Sequence, residues 1–253
     1  MNLILLLESD FISSHRVRLS GRRFLHIQDI LKAQCGQSLT VGKINGLLGK
    51  GTLVHKENDA VELEVNFNQK PPGALPLTLI LALQRPPMLK RILFSAAMLG
   101  IKKIIILNFN RVEKSLWNSS ALKPQSITEQ LVLGLEQAKD TLMPEVILKK
   151  GFKSFVDDEL PALIKGNRAL VAHPGGGDHA ITNFNAVIPC ASTVIPAKAG
   201  ILNQPITLII GPEGGIIDYE IELLESVGCQ TIDLGPRIFR TESVLPYIVG
   251  KLF

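Results

Sequence analysis

The chain has 253 residues, a formal charge of +4, 46% hydrophobic and 20% charged residues, and a sequence pI of about 9.0. That length suits one large domain or two modest ones, and the composition predicts a soluble globular protein rather than a disordered one. No apolar run approaches the roughly 20 residues of a membrane span. With only 5% aromatic residues, base stacking on aromatic platforms is not expected to be the main mode of nucleic-acid binding.

The apolar run at 3–7 has no basic region before it and is broken at Glu8 and Asp10, so it reads as an opening strand rather than a signal peptide. Short β-type runs follow around Val17, 39–41, 51–55 and 61–65, separated by Gly, Asn and Asp turns. One helix over about 23–33 carries Phe24, Ile27, Ile30 and Leu31 at helical spacing. A small β-barrel with one helix is therefore expected over residues 1–70. In it Arg16, Arg18, Arg22, Arg23 and His26 would cluster. A charge run is usually a solvated face, but planar guanidinium forks suit phosphate and base edges better than ammonium groups do. The cluster is accordingly read as an RNA-contacting patch.

The segment QKPPGALP at 69–76 marks a domain boundary, because consecutive prolines cannot continue a ladder. A second domain over 71–253 follows. LTLILAL reads as a strand buried on both faces, MLKRILFSAAMLG as a helix and KKIIILNF as another buried strand. That is a βαβ unit, so the class is α/β with a parallel sheet. Ser126 and Glu129 form a capping-box signature before the helical QLVLGLEQAKD. A strand at 145–148, a helix at 154–165 with Pro161, and the strand ALVAH at 169–173 come next. Residues 178–205 have no clean period and read as a surface excursion. Then LIIGPEGG and QTIDLGPRIFRTE repeat one grammar, an apolar strand that spills into a Gly/Pro loop. These loops fit neither a P-loop nor a dinucleotide turn, yet Gly211, Gly214, Gly215 and Gly235 allow close approach to a flat ligand. Ligands gather at the carboxyl ends of parallel strands, so the strand ends at His173, Ile210 and Leu234 are expected to meet at one site.

Other chemistries fare worse. His173 and His179 with one Asp make a poor zinc site, and no metal is expected. No GxSxG elbow supplies a nucleophile. Cys35, Cys190 and Cys229 show no CxxC pairing, which suits buried or idle thiols in a reducing cytoplasm. Trp117 and Tyr219 read as packing or rim residues.

LIIGPEGG followed by LGPRIFRTES resembles the two C-terminal signature loops of the SPOUT-class methyltransferases, and more closely the RsmE-type enzymes, which methylate ring nitrogen N3 of a uridine in 16S rRNA of the small ribosomal subunit. SGRRFLHIQDILKAQCGQSLTVG resembles that family's PUA-like N-terminal barrel, and LALQRPPMLKRILFSAAMLGIKKI its first βαβ segment. The resemblance implies a C-terminal trefoil knot, S-adenosyl-L-methionine bound bent within it, and an obligate homodimer. It places cofactor contacts at His173, Pro174, Ile210, Gly211, Pro212, Glu213, Gly215, Leu234, Gly235, Ile238 and Arg240. Glu213 would face the sulfonium or the ribose hydroxyls, or else cap the following helix. Arg237 and Arg240 would stabilise a developing uridine anion or hold its phosphate, and Glu242 would orient Arg240 through a bidentate pair or tie the loop to the last helix. No residue stands out as the general base. Phe239 stands where the family often has leucine, and Pro246 is expected in the first turn of the closing helix. Two alternatives are a SPOUT enzyme acting on a ribose 2′-hydroxyl and a noncatalytic ribosome-assembly protein that binds RNA. A pure binder would have no need of both signature loops.

Overall fold

The structure, a computed structural model, describes residues 2–174 and 205–253. His179, Cys190 and all of the expected 178–205 excursion but Pro205 lie outside the described residues. The first sheet is mixed: β1 (Ile4–Leu6), β2 (Phe11–Ser13), β3 (Arg16–Ser20), β4 (Ser38–Lys43), β5 (Leu48–Lys56) and β6 (Ala60–Gln69) lie in the order β1-β4-β5-β6-β3-β2. β1 is parallel to β4 and the other pairs are antiparallel. β1 and β2 occupy opposite edges, yet only residues 7–10 join them. Six strands laid flat would hold those edges about 24 Å apart, whereas five residue steps reach at most about 18 Å. The sheet must therefore curl, and Leu6, Val17, Leu19, Leu53 and Leu63 fill its inside. The expected small barrel takes this form.

Helix α1 (Gly21–Leu25) continues into a π-helical turn at His26–Ile30. It starts earlier than the expected 23–33, because Gly21 at φ +59° turns the chain straight out of β3.

The second sheet is wholly parallel: β7 (Leu77–Ala82), β8 (Lys103–Leu107), β9 (Glu145–Lys149), β10 (Arg168–Ala172), β11 (Ile206–Ile210) and β12 (Gln230–Ile232), in the order β12-β10-β11-β7-β8-β9. Every residue of β11 is buried, which is why central parallel strands read as unbroken apolar runs. Helices α2 (Pro86–Met98), α3 (Pro124–Ala138), α4 (Phe152–Ser154), α5 (Leu160–Ile164), α6 (Asp218–Ser226) and α7 (Thr241–Leu252) complete the domain, a π-helical turn at Phe155–Glu159 joining α4 to α5.

Two helix starts differ from expectation. α3 begins at Pro124, so Ser126 and Glu129 lie within the helix instead of capping it; proline at the first position has its φ already set and lacks only an N–H that would be unsatisfied anyway. Pro246 lies inside α7, beyond its first turn, and its missing N–H leaves the Glu242 carbonyl without the usual helical donor.

The domains share a core. Leu5 and Leu48 from the first sheet, with Leu3 just before it, pack into the cluster built around β7 and β8. The Asn2 N–H donates to the Glu136 carbonyl at 3.1 Å and the Asn45 N–H to the Thr141 carbonyl at 2.8 Å. The buried Glu136 carboxylate accepts the Leu5 N–H at 3.4 Å and lies 2.9 Å from Arg22.

α2 and α3 approach closely at Gly134, where a Cβ would stand 2.4 Å from the Phe94 carbonyl oxygen and 2.8 Å from the Ala97 Cβ. Helix propensity alone favours Gly134→Ala by about 1 kcal/mol, whereas overpacking costs about 1–3 kcal/mol. The contact to rigid backbone decides the sign: Gly134→Ala is expected to lower stability to urea. A raised midpoint would show that the two helices part freely.

Candidate active site

Register brings the site together. Ala172 of β10 is level with Ile210 of β11 and with Ile232 of β12, so three chain exits leave the sheet at the same height. They open into one cleft. His173 and Pro174 line it after β10; Ile210, Gly211, Pro212, Glu213 and Gly215 line it from β11 onward; Leu234, Gly235, Arg237, Ile238 and Phe239 line it after β12. Thr241 and Val244 of α7 contribute as well. The structure thus gathers every residue expected to touch the cofactor except Arg240.

Glycine and proline turns line the cleft together with apolar side chains such as Ile216, Leu234 and Val244. The His173 N–H extends the ladder to the Ile232 carbonyl at 3.1 Å, while its Nδ1 is buried with no partner among the described residues. Gly215 and Gly235 adopt φ of +78° and +103°. A Cβ on Gly235 would meet nothing within 4 Å, so conformation rather than crowding calls for glycine there. The Asp233 carboxylate accepts the Gly235 N–H at 3.1 Å. Phe239 stacks on Tyr247 of α7 with ring centroids 4.8 Å apart, which explains an aromatic residue where the resemblance suggests leucine.

Three side chains absent from the sequence reading hold the GPEGG loop. Buried Gln84 donates to the Ala82 carbonyl at 2.9 Å and to the Gly211 carbonyl at 3.0 Å. Arg111 donates to the Gly214 carbonyl and packs its stem against that glycine. Arg85 lies 3.1 Å from Glu113 and 3.8 Å from Glu213. All three follow the carboxyl ends of β7 and β8, the edge where ligands gather, and that placement was the available signal.

Several expected roles are corrected. Glu213 does not cap the following helix: α6 starts only at Asp218, and its capping carboxylate is Glu220, which accepts the Asn110 N–H at 2.7 Å and the Ile217 N–H at 3.4 Å. Arg240 is the N-cap residue of α7, its carbonyl accepting the Ser243 and Val244 N–H groups at 2.9 and 3.2 Å, and its side chain is not part of the cleft wall. Glu242 pairs with Arg91 of α2 at 3.6 Å instead of with Arg240, because the first turn of α7 packs toward α2.

The arginine cluster differs most from expectation. Arg16 lies 2.9 Å from Glu62, and Arg18 grips Glu57 through two nitrogens at 2.9 and 2.6 Å. The hydrogen bond to Arg18 is the main reason the Glu57 carboxyl is held below its ordinary range. Arg22 ties α1 to Glu136 across the domain joint, and Arg23 bonds Asp10 and the Leu5 carbonyl at the barrel corner. Four expected RNA contacts are thus engaged by carboxylates, and two of them are built into the architecture. His26 opens the π-helical turn.

Among the described residues no group of three or more His, Cys, Asp or Glu side chains could hold a metal, and no helix is long and apolar enough to cross a membrane. Cys35 is exposed and Cys229 is buried, its thiol pKa pushed up to about 12 by burial and then by Glu225. Trp117 donates to Asn108 at 2.7 Å and Tyr219 is exposed, in keeping with packing and rim positions.

Residues 71–252 match the family model described as an RNA methyltransferase domain. The ribosomal RNA small subunit methyltransferase E of Treponema pallidum is 26% identical, the match covering 96% of this chain and 87% of that protein. The corresponding enzyme 1 of Borreliella burgdorferi is 28% identical over 96% of this chain and 93% of its own. The crystal structure of the Neisseria gonorrhoeae methyltransferase E bound to S-adenosyl methionine superposes with a TM-score of 0.70 at 20% identity, covering 99% of this chain and 95% of that one. The fold, the cleft at three parallel strand ends and the match over both signature loops together place the chain in the RNA methyltransferase domain family, with RsmE-type enzymes as its full-length relatives.

Proposed function

We propose that this chain is an S-adenosyl-L-methionine-dependent methyltransferase that modifies ring nitrogen N3 of a uridine in 16S rRNA of the small ribosomal subunit, and that it works as a homodimer. The observation that carries the reading is the convergence of both signature loops and His173 on one cleft. The residues suit the cofactor: a buried, unpartnered imidazole nitrogen at His173, glycine backbone at Gly211, Gly215 and Gly235, and one carboxylate at Glu213. When bound, the cofactor supplies a methyl group on a sulfonium, open to in-line displacement.

The chain's own work is then positioning and charge. Backbone groups of the Gly211–Gly215 and Leu234–Gly235 stretches match the donors and acceptors of adenine. Glu213 faces the positive sulfonium or the ribose hydroxyls, its charge balanced by Arg85 at 3.8 Å. Exposed Arg237 lines the cleft and is assigned the developing anion as the N3 proton leaves. Arg240, one step outside the wall, is assigned a phosphate of the target nucleotide, and Glu242 a structural tie to α2. Positioning of this kind can supply much of the rate for a displacement.

The knot and the homodimer are parts of the same proposal. After edge strand β12 the chain returns across the sheet, and α7 packs on α2 and β11, the return that a knotted terminus needs. Ile238 is 87% exposed beside the cleft, apolar surface that a second copy would cover.

Incubation with labelled cofactor and unmethylated small-subunit particles is expected to give N3-methyluridine in 16S rRNA; label on a ribose 2′-oxygen instead would overturn the N3 assignment. Arg237→Ala is expected to lower kcat about 10²-fold or more, the scale for loss of one charge-stabilising donor, with cofactor affinity unchanged; an unaltered kcat removes Arg237 from the chemistry. Gly235→Ala forces an alanine into a left-handed conformation costing about 1–3 kcal/mol. It should weaken cofactor binding in calorimetry at least several-fold while circular dichroism still reports a folded protein, and undiminished affinity would argue against the second loop as part of the site.

A further inference from the structure

On the barrel side of the molecule, the charges free to meet a polyanion lie away from the arginine cluster. A groove of about 520 Å³ runs between β4 and β5 of the barrel, the linker that follows β6, and the end of α3. Three exposed cations line it: Lys50 from β5, Lys70 from the linker and Lys139 at the close of α3. No carboxylate lines the groove, whose other polar side chains are the uncharged Thr40, Asn68 and Gln69. None of the three lysines joins an ion pair among the described residues. Asp140, next to Lys139, is buried and held by Lys102.

Backbone geometry reinforces the picture. Lys139 is the C-cap of α3 at φ +56°, its N–H donating to the Leu135 carbonyl. Glycine is the usual residue in that left-handed position, so helix termination alone does not account for a lysine there. Pro71 and Pro72 line the groove on the linker side, and their fixed φ limits how far the adjacent Lys70 backbone can wander.

We propose that this interdomain groove binds the phosphate backbone of the substrate RNA, through Lys50, Lys70 and Lys139. The inference rests on the reading of the chain as an rRNA methyltransferase. An exposed, unpaired ammonium releases counterions from a polyanion when it binds, whereas a guanidinium already facing a carboxylate gains far less. The groove lies at the amino ends of the parallel strands, since α3 closes just before β9 begins, whereas the catalytic cleft lies at the carboxyl ends. The lysines therefore hold RNA at a distance from the target base. They set affinity and register, not the chemical step.

The test is methyl-transfer kinetics on unmethylated small-subunit particles with the triple variant Lys50→Gln, Lys70→Gln, Lys139→Gln, across a range of monovalent salt. All three side chains are exposed, and calorimetry with the cofactor verifies that the variant keeps its cleft. KM for particles is expected to rise tenfold or more at low salt with kcat unchanged. The salt dependence of kcat/KM should flatten by about 2 in log–log slope, at roughly 0.7 per lost phosphate contact on single strands. A companion variant, Arg16→Gln with Arg18→Gln, should change that slope by less than one contact. A triple variant with wild-type KM and slope overturns the proposal, as does a slope carried by the arginine pair. If the wild-type protein transfers no methyl group to the particles at all, the enzymatic reading itself fails, and this inference with it.

Discussion

The site depends on one constraint, the parallel register that sets the ends of β10, β11 and β12 level. A parallel ladder has evenly spaced bonds and no alternation of wide and narrow pairs, so neighbouring strands in register release their following loops at one height. Because β11 is buried along its whole length, it cannot slip without exposing apolar side chains or burying loop residues. The cleft is thus fixed by the core beneath it. Its loops bring glycine and proline turns, Glu213 and Arg237 to one height.

A second layer of support comes from the other side of the sheet centre. β7 pairs with β11 in register, which brings Gln84 beside Gly211, and β8 beyond it brings Arg111 to Gly214. These bonds to carbonyls fix the GPEGG loop before any ligand arrives. Preorganisation of this kind lowers the ordering cost of binding, and it joins the strand–helix unit near the linker to the first signature loop at the far end of the sequence.

Much of this was legible from sequence for a physical reason: strand periodicity and apolar runs report burial directly. The curled N-terminal sheet, the parallel second sheet and the meeting of His173, Ile210 and Leu234 all follow from local pattern plus the rule for strand ends. Contacts between residues far apart in the chain were not legible. Arg22 reads as a surface cation until Glu136 is seen opposite it, and Glu242 reads as a partner for nearby Arg240 until α7 is seen to lie on α2, with Arg91 opposite. Nothing local to Gln84 shows that it is buried and bonds the GPEGG loop. Local signals also competed. At α3 the Ser126–Glu129 signature was weaker than Pro124 at the true start, and at α6 the capping carboxylate was Glu220, not the more conspicuous Glu213.

Electrostatics divides the molecule along the same lines. Several arginines are consumed in architecture, at the barrel corner, the domain joint and the GPEGG loop, because a planar fork can bind two acceptors at once. Lys50, Lys70 and Lys139, by contrast, face solvent in one groove. The central claim is that the cleft at the three strand ends is a cofactor site, and calorimetric titration of the folded wild-type chain with S-adenosyl-L-methionine tests it most directly. A saturable isotherm with one site per chain, weakened when Gln84→Ala or Arg111→Ala loosens the loop, is the predicted result; folded protein that binds no cofactor would contradict it.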